Sequence, residues 1–178
     1  YQAIKQGMMY DLFTRGVDAN GKLRPPQSEA PELYKQSELG WIPKEWEVVA
    51  LNQMFSVSSG EGLSQAKMQP GGYPVFGGNG ITGFHNAFIY QEPRLIIGRV
   101  GEYCGNVHIT PAKSWITDNA LIVQFNSPNP CMEFWLYSLN HLRLNDFAFA
   151  AAQPVITGGI LNRIRMGVPS SREQEQIF

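Results

Sequence analysis

Phe76, Gly78 and Gly80 stand at F-x-G-x-G spacing, an arrangement that lets a backbone close in on the sulfonium cofactor S-adenosylmethionine. Such a loop needs a strand before it, a helix after it and an acidic residue about 20 residues on. "YPVF" supplies the strand. The following "ITGFHNAFIY" holds a glycine, β-branched residues and aromatics, and reads as a second strand. "SPNP" at Ser127 to Pro130 lacks the adjacent prolines and the aromatic of an amino-methyltransferase catalytic motif. The glycines are therefore read as turns joining short strands.

Other reactive constellations fare no better. His85, His108 and His141 form no triad pattern, and there is no G-x-S-x-G elbow. Cys104 and His108 are spaced like half a zinc site, but no second half follows, so both are read as core or structural residues. No P-loop is present, nor a paired carboxylate with a following lysine. The sequence shows no chemistry of its own.

What remains is polar surface around glycine loops: Asn79, His85, Asn86, Arg99, Tyr103, Asn106, Gln153 and Thr157. Arg, Asn and Gln can make paired hydrogen bonds to guanine and adenine edges. Lys67, Lys113, Arg94 and Arg163 are candidates for phosphate contacts. The nine residues taken as the candidate DNA-binding set are Lys67, Asn79, His85, Asn86, Arg99, Tyr103, Lys113, Gln153 and Thr157. No catalytic residue and no metal ligand is assigned.

The elements that must position these residues follow from pattern. In "YQAIKQGMMYDLFTRG", Ile4, Met8 and Leu12 fall four apart with Tyr1 and Met9 beside them, which predicts the end of an amphipathic helix. Its stripe lies on its own domain or pairs with another helix. Residues 17–40 are polar, hold Pro25, Pro26 and Pro31, and read as a linker largely without packed structure. From Trp41 come short strand-like runs: "WEVVAL", "MFSVS", "PVF", "AFIY", "RLIIGRV", "VHIT" and "ALIVQF". "CMEFWLYSLNHLRLNDFAF" is one long helical stretch, "RIRMGVP" a last strand, and "SSREQEQIF" a helix start with Ser170 and Glu173 at capping-box spacing. Helix, linker, clustered strands with few helices, then helix is an α+β order, not alternating βαβ.

The totals bound the function. The 178 residues are 43% apolar, which excludes a disordered or collagen-like chain. A net charge of -1 argues against strong non-specific DNA binding by the chain alone. There is no membrane-spanning run and no signal peptide, and two cysteines make no disulfide framework, so a cytoplasmic protein with reduced thiols is expected. The chain opens on Tyr1 and stops in a helix start, which reads as a piece of a longer protein.

"SELGWIPKEWEVVAL", "YPVFGGNGITGF", "LIIGRVGEYCGNVHI", "WITDNALIV" and "AAQPVITGGILNRIRMGVPSSREQEQIF" together resemble the target recognition domain of the specificity subunit of type I restriction–modification enzymes. The likeness runs from about Glu38 to the end and rests on Gly-x-Ile-Pro-x-x-Trp, Gly-Arg-x-Gly and Pro-x-x-x-Glu-Gln in order. "LFTRG" is similar to the end of the central helical region, which places this chain as the second recognition domain. The resemblance implies this division: 1–16 as the end of the central spacer helix, 17–40 as linker, 41–169 as recognition domain, and 170–178 as the start of the C-terminal spacer helix.

The resemblance further implies small twisted, mostly antiparallel sheets with short helices and DNA-facing loops. It implies reading of one half of a split site in double-stranded DNA, and spacer helices paired antiparallel. S-adenosylmethionine would sit on modification subunits, with ATP and Mg also on partner subunits and cleavage on a restriction subunit. No cofactor is expected on this chain. Arg99 lies in Gly-Arg-x-Gly and either supports the fold or touches DNA; Asn119 is read as a turn or buried polar residue, and Trp41 and Trp46 as packing residues. Two other readings stay open: a stand-alone S-adenosylmethionine-dependent DNA methyltransferase using Phe76–Gly80, and a structural, protein-binding β domain.

Overall fold

A computed structural model describes residues 2–148 and 153–178. In chain order the elements are α1 (Gln2–Arg15), β1 (Tyr34–Ser37), β2 (Gly40–Pro43), β3 (Glu47–Ala50), the single turn α2 (Leu51–Met54), β4 (Phe55–Ser59), β5 (Tyr73–Gly77) and β6 (Gly80–His85). Then follow β7 (Leu95–Gly98), β8 (Val107–Ile109), β9 (Trp115–Ile116), β10 (Ala120–Phe125), α3 (Met132–His141), α4 (Gly158–Leu161), β11 (Arg165–Val168) and α5 (Ser171–Ile177). Among the described residues this is an α+β arrangement of four small sheets, antiparallel except where β5 runs parallel to β9.

The central sheet, in order β4-β10-β7-β8, is covered on both faces. Side chains alternate across a strand, so β7 and β10 divide their apolar residues between two layers. Leu95, Ile97, Leu121 and Val123 share a core with Phe134, Trp135 and Leu139 of α3. Ile96, Ala120 and Ile122 join Phe76 and Ile116 of the β6-β5-β9 sheet on the other side. Every residue of β7 is buried, which is why "RLIIGRV" reads as a continuous apolar run instead of an alternation.

The two ends of the chain meet beneath this sandwich. β3 pairs with β11, Glu47 to Val168 through Ala50 to Arg165. Glu173 on α5 is buried and takes four donors: Arg24 Nη1 at 2.5 Å and Nη2 at 3.1 Å, the backbone N–H of Val17 at 3.0 Å, and Trp46 Nε1 at 3.1 Å. Gly16 has φ +60, and a Cβ there would fall onto the Glu173 carboxylate and within 2.7 Å of Trp46. Ser170 caps α5 by accepting from the Glu173 N–H, as the spacing predicts. The Glu173 side chain, however, turns to the buried arginine instead of reaching back to complete the box.

Four sequence readings change. Residues 17–40 are not largely unpacked: they contain β1, and Val17, Arg24, Ala30 and Tyr34 are buried, with the Tyr34 hydroxyl donating to the Pro25 carbonyl. The buried ion pair and these apolar contacts offset the cost of ordering them. "AFIY" forms no strand; Tyr90 alone bridges Ser114, while Phe88 packs edge-on against Tyr73. The predicted single helix breaks at Arg143, which is left-handed at φ 54, leaving α3 and a separate 3-10 turn at Leu144–Phe147; Phe149 lies outside the described residues. Trp46 is buried, but Trp41 is half exposed.

On α1, Met8 is exposed and the docking is done by Phe13, which lies 6.0 Å from the Phe134 ring and 5.3 Å from His141. Tyr1 and the side chain of Ile4 lie outside the described residues. Among the described residues no helix is long and apolar enough to cross a membrane.

Candidate nucleic-acid interface

The β5–β6 turn, Gly78 and Asn79, is the point around which one group of polar loops assembles. It is a two-residue connection between Gly77 and Gly80, which pair with each other. A Cβ on Gly78 would stand 2.9 Å from the Asn119 carbonyl and 3.3 Å from Gly98 Cα. A Cβ on Gly98 would stand 2.6 Å from the Tyr103 carbonyl and closer still to that of Gly78. Glycine at both positions is what lets three backbones touch.

Main-chain hydrogen bonds then fix the surrounding loops. Arg99 N–H donates to Asn119 O at 2.9 Å, Gly98 N–H to Asn106 O at 2.8 Å, and Gly105 N–H to Gly98 O at 2.8 Å. Gly101 N–H donates to Pro154 O at 3.0 Å, and Ile156 N–H to Arg99 O at 2.8 Å. Segments 77–80, 99–106, 118–119 and 153–157 therefore form one rigid end of the sandwich.

Four sequence candidates, Asn79, Arg99, Tyr103 and Gln153, are displayed there. Asn79, Tyr103 and Gln153 are exposed and Arg99 is half-buried. Arg99 Nη1 donates to Ser59 Oγ at 3.3 Å, and Asn106 Nδ2 donates to Asn79 Oδ1 at 3.2 Å. Asn119 sits in an exposed turn and contributes its carbonyl, not its amide. Thr157 comes to the same end, but its hydroxyl oxygen accepts from Ile160 N–H as the cap of α4. Ala151 and Ala152 of "AAQPVITGG" lie outside the described residues.

The other candidates stand at the far end of the hairpin. Gly80 to His85 spans about 16 Å at strand rise. His85 Nδ1 meets the Lys67 carbonyl at 2.9 Å, and its ring lies edge-on to Trp115 at 5.3 Å. Asn86 and Lys67 are exposed, as is Lys113, two residues before Trp115, with φ 57. The nine candidates thus divide into an amide-rich end and a lysine-bearing end. Arg94 is held over the Tyr90 ring at 5.7 Å, and Arg163 is exposed beside Thr157 on an open groove.

Between Phe55 and Phe125 there are four basic residues, Lys67, Arg94, Arg99 and Lys113, and four acidic ones, Glu61, Glu92, Glu102 and Asp118. This stretch of the chain carries no net charge, so it provides no strong general attraction for a polyanion. His108 is half-buried behind the amide-rich end, 3.9 Å from where a Gly80 Cβ would stand. Burial pulls its imidazole below the usual 6.5, which keeps it neutral at pH 7. Cys104 is buried, and burial raises its thiol pKa, as befits a residue of the core.

Sequence reasoning missed Ser59 as the partner of Arg99, because a serine in a strand carries no local signal of what lies across the fold. It also missed the exposure of Ile81 at the start of β6. The cofactor-loop reading of Phe76–Gly80 fails on geometry. The glycines join β5 to an antiparallel β6, where a nucleotide pocket needs a helix N-terminus.

Comparison with known proteins agrees with this geometry. Residues 43–178 match the description "Type I restriction modification DNA specificity domain". The chain is 34% identical over 102 residues, 57% of its length, to the type I restriction enzyme EcoprrI specificity subunit of Escherichia coli, of which it covers 25%. It is 27% identical over 188 residues, 97% of its length, to the putative type I restriction enzyme MjaX specificity subunit of Methanocaldococcus jannaschii, of which it covers 42%. The fold is shared with the S subunit of a type I system from M. genitalium (TM-score 0.64, 20% identity, 74% of this chain and 36% of that one). It is shared also with the HsdS subunit of Thermoanaerobacter tengcongensis (TM-score 0.60, 17% identity, 99% and 43%). The chain spans less than half the length of these relatives. It belongs to the family of type I restriction–modification DNA specificity domains.

Proposed function

We propose that this domain reads one half of a split DNA sequence, without catalysis, for a type I restriction–modification complex. The observation that carries the reading is the amide-rich end. Three loops fixed to one another by backbone hydrogen bonds, with the β5–β6 turn packed against them, present Asn79, Tyr103 and Gln153 with Arg99 beside them. Preorganised polar side chains suit base edges, since little conformational entropy is then lost on binding. The lysine-bearing end, about 16 Å away, would meet phosphates roughly five base pairs along at 3.4 Å per pair. With a chain of net charge -1, much of the phosphate contact would come from partner subunits, and this domain would supply specificity.

Those partners would be modification subunits carrying S-adenosylmethionine, joined by a restriction subunit using ATP and Mg. A relative of the same fold is described in the context of type I complex assembly, which supports assembly with partner subunits. The contact between Phe13 of α1 and Phe178 just after α5, rings 6.3 Å apart, supports the reading of both as spacer-helix segments. The test is the methylation pattern of DNA exposed to the intact specificity subunit with its modification subunits. A defined bipartite sequence is expected, and exchange of residues 41–169 for those of a relative should change one half of it. Methylation scattered without sequence preference would refute the proposal.

A further inference from the structure

Among the polar candidates at the amide-rich end, Asn79 is held differently from the rest. Its backbone is locked by the contacts of Gly78 with Asn119 and Gly98. Its side chain is exposed, yet its orientation is set by one bond, Asn106 Nδ2 donating to Asn79 Oδ1 at 3.2 Å. Asn106 is anchored in turn, because its main-chain carbonyl accepts from Gly98 N–H and its own N–H donates to Tyr103 O. A lone surface asparagine turns freely; this one is held by a side-chain bond to a residue whose own backbone is fixed. After the bond is made, Oδ1 keeps a second lone pair and Nδ2 keeps both hydrogens.

We infer that Asn79 reads the major-groove edge of an adenine, with Asn106 as the positioning residue that holds its amide in place. This rests on the DNA-reading function proposed above. Adenine offers an N6 donor and an N7 acceptor side by side, the complement of an amide's oxygen and N–H. Guanine offers two acceptors, which would set Oδ1 against O6. The exposed Ile81, two residues on, suits the C5-methyl of the paired thymine. Asn106 acts through its side chain only, since its loop is closed by main-chain bonds that alanine retains.

The experiment uses the intact specificity subunit bound to its modification subunits, and measures affinity for duplexes carrying the methylated site. Each adenine of the relevant half-site is replaced in turn by 7-deazaadenine or by guanine. In the wild-type complex one adenine position should lose about ten- to a hundredfold in affinity on replacement by guanine, and less with the 7-deaza base. Asn79→Ala should abolish that discrimination at the same position and no other. Asn106→Ala should weaken it while leaving the salt dependence unchanged. A wild-type complex that discriminates at no position would refute DNA reading itself. A discriminating complex in which Asn79→Ala keeps every preference would overturn this inference alone. Loss spread evenly over all positions, or a lowered melting temperature, would assign Asn79 and Asn106 a structural role instead.

Discussion

Replacing Glu173 by alanine should be among the most damaging single changes in the chain. Arg24 and Glu173 are each nearly inaccessible, 6% exposed. Removing one partner of a buried pair costs about 3–5 kcal/mol, because the other charge is left without compensation. Arg24 keeps a second carboxylate, Glu45, but that side chain is 76% exposed and its attraction is screened. This places the charge contribution near the lower figure, about 3 kcal/mol. The N–H groups of Val17 and Trp46 also lose their acceptor, at about 1 kcal/mol each if buried without a substitute. Water can reach part of the gap, since a cleft lined by Asp18, Arg172 and Gln176 adjoins it. A total of about 3–5 kcal/mol follows, a large share of the roughly 5–15 kcal/mol that holds a domain together. The assay is urea and thermal unfolding followed by circular dichroism, with a fall in Tm of about 8–15 °C expected for a chain of this size. The double variant Arg24→Met with Glu173→Leu should recover more than half of the loss, because no lone charge remains. A single-variant cost below about 1 kcal/mol, or a double variant no better than the single, would refute the reasoning.

Gly98→Ala should destabilise the domain by about 2–4 kcal/mol and separate the Asn79 turn from the Tyr103 loop; proteolysis within 99–106 would report the loosening. Thr157→Ala removes the α4 cap and should cost about 1 kcal/mol in urea unfolding, with Thr157→Ser largely neutral. His108 and His141 have imidazoles drawn below 6.5 by burial. The unfolded chain then binds more protons than the folded one below about pH 6.5, so stability should be complete above that value and fall as pH drops through it. Unfolding free energies at pH 7.5 and 5.5 check this, and His141→Gln should flatten the profile; a flat wild-type profile would contradict it. Finally, with Lys67, Arg99, Lys113 and Arg163 as its exposed or half-exposed cations near the proposed face, the chain alone should show a log K against log salt slope no steeper than about -4 on duplex DNA.

How far the sequence could be read depended on the range of the interaction. Local signals held: Ser170 capping α5, Arg15 and Gly16 ending α1, and the apolar run of β7. The hairpin reading of Phe76–Gly80 also held, since "ITGF" lacks helix-forming character over the few residues that decide it. Tertiary effects were invisible. Nothing near Arg143 announces a left-handed residue, as neither Gly nor Pro marks the break. The order in residues 17–40 comes from Glu173, which lies 149 residues beyond Arg24. "AFIY" has the composition of a strand but meets no partner beyond one bridge. Residue types at the candidate site were readable, but their division into two ends 16 Å apart, at about 3.3 Å per residue of β6, needed the register of β5 on β6.

The bond from Val17 to Glu173 joins positions 156 apart in sequence, and β3 waits for β11 across more than a hundred residues. Such distant pairing slows folding. At a synthesis rate of about 5–20 residues per second, the stretch from Arg24 to Glu173 takes roughly 7–30 s to emerge. Throughout that interval the arginine has no buried counter-ion and Trp46 has no lid. The N-terminal segment therefore becomes the floor of the domain only once the last helix of this chain has been made.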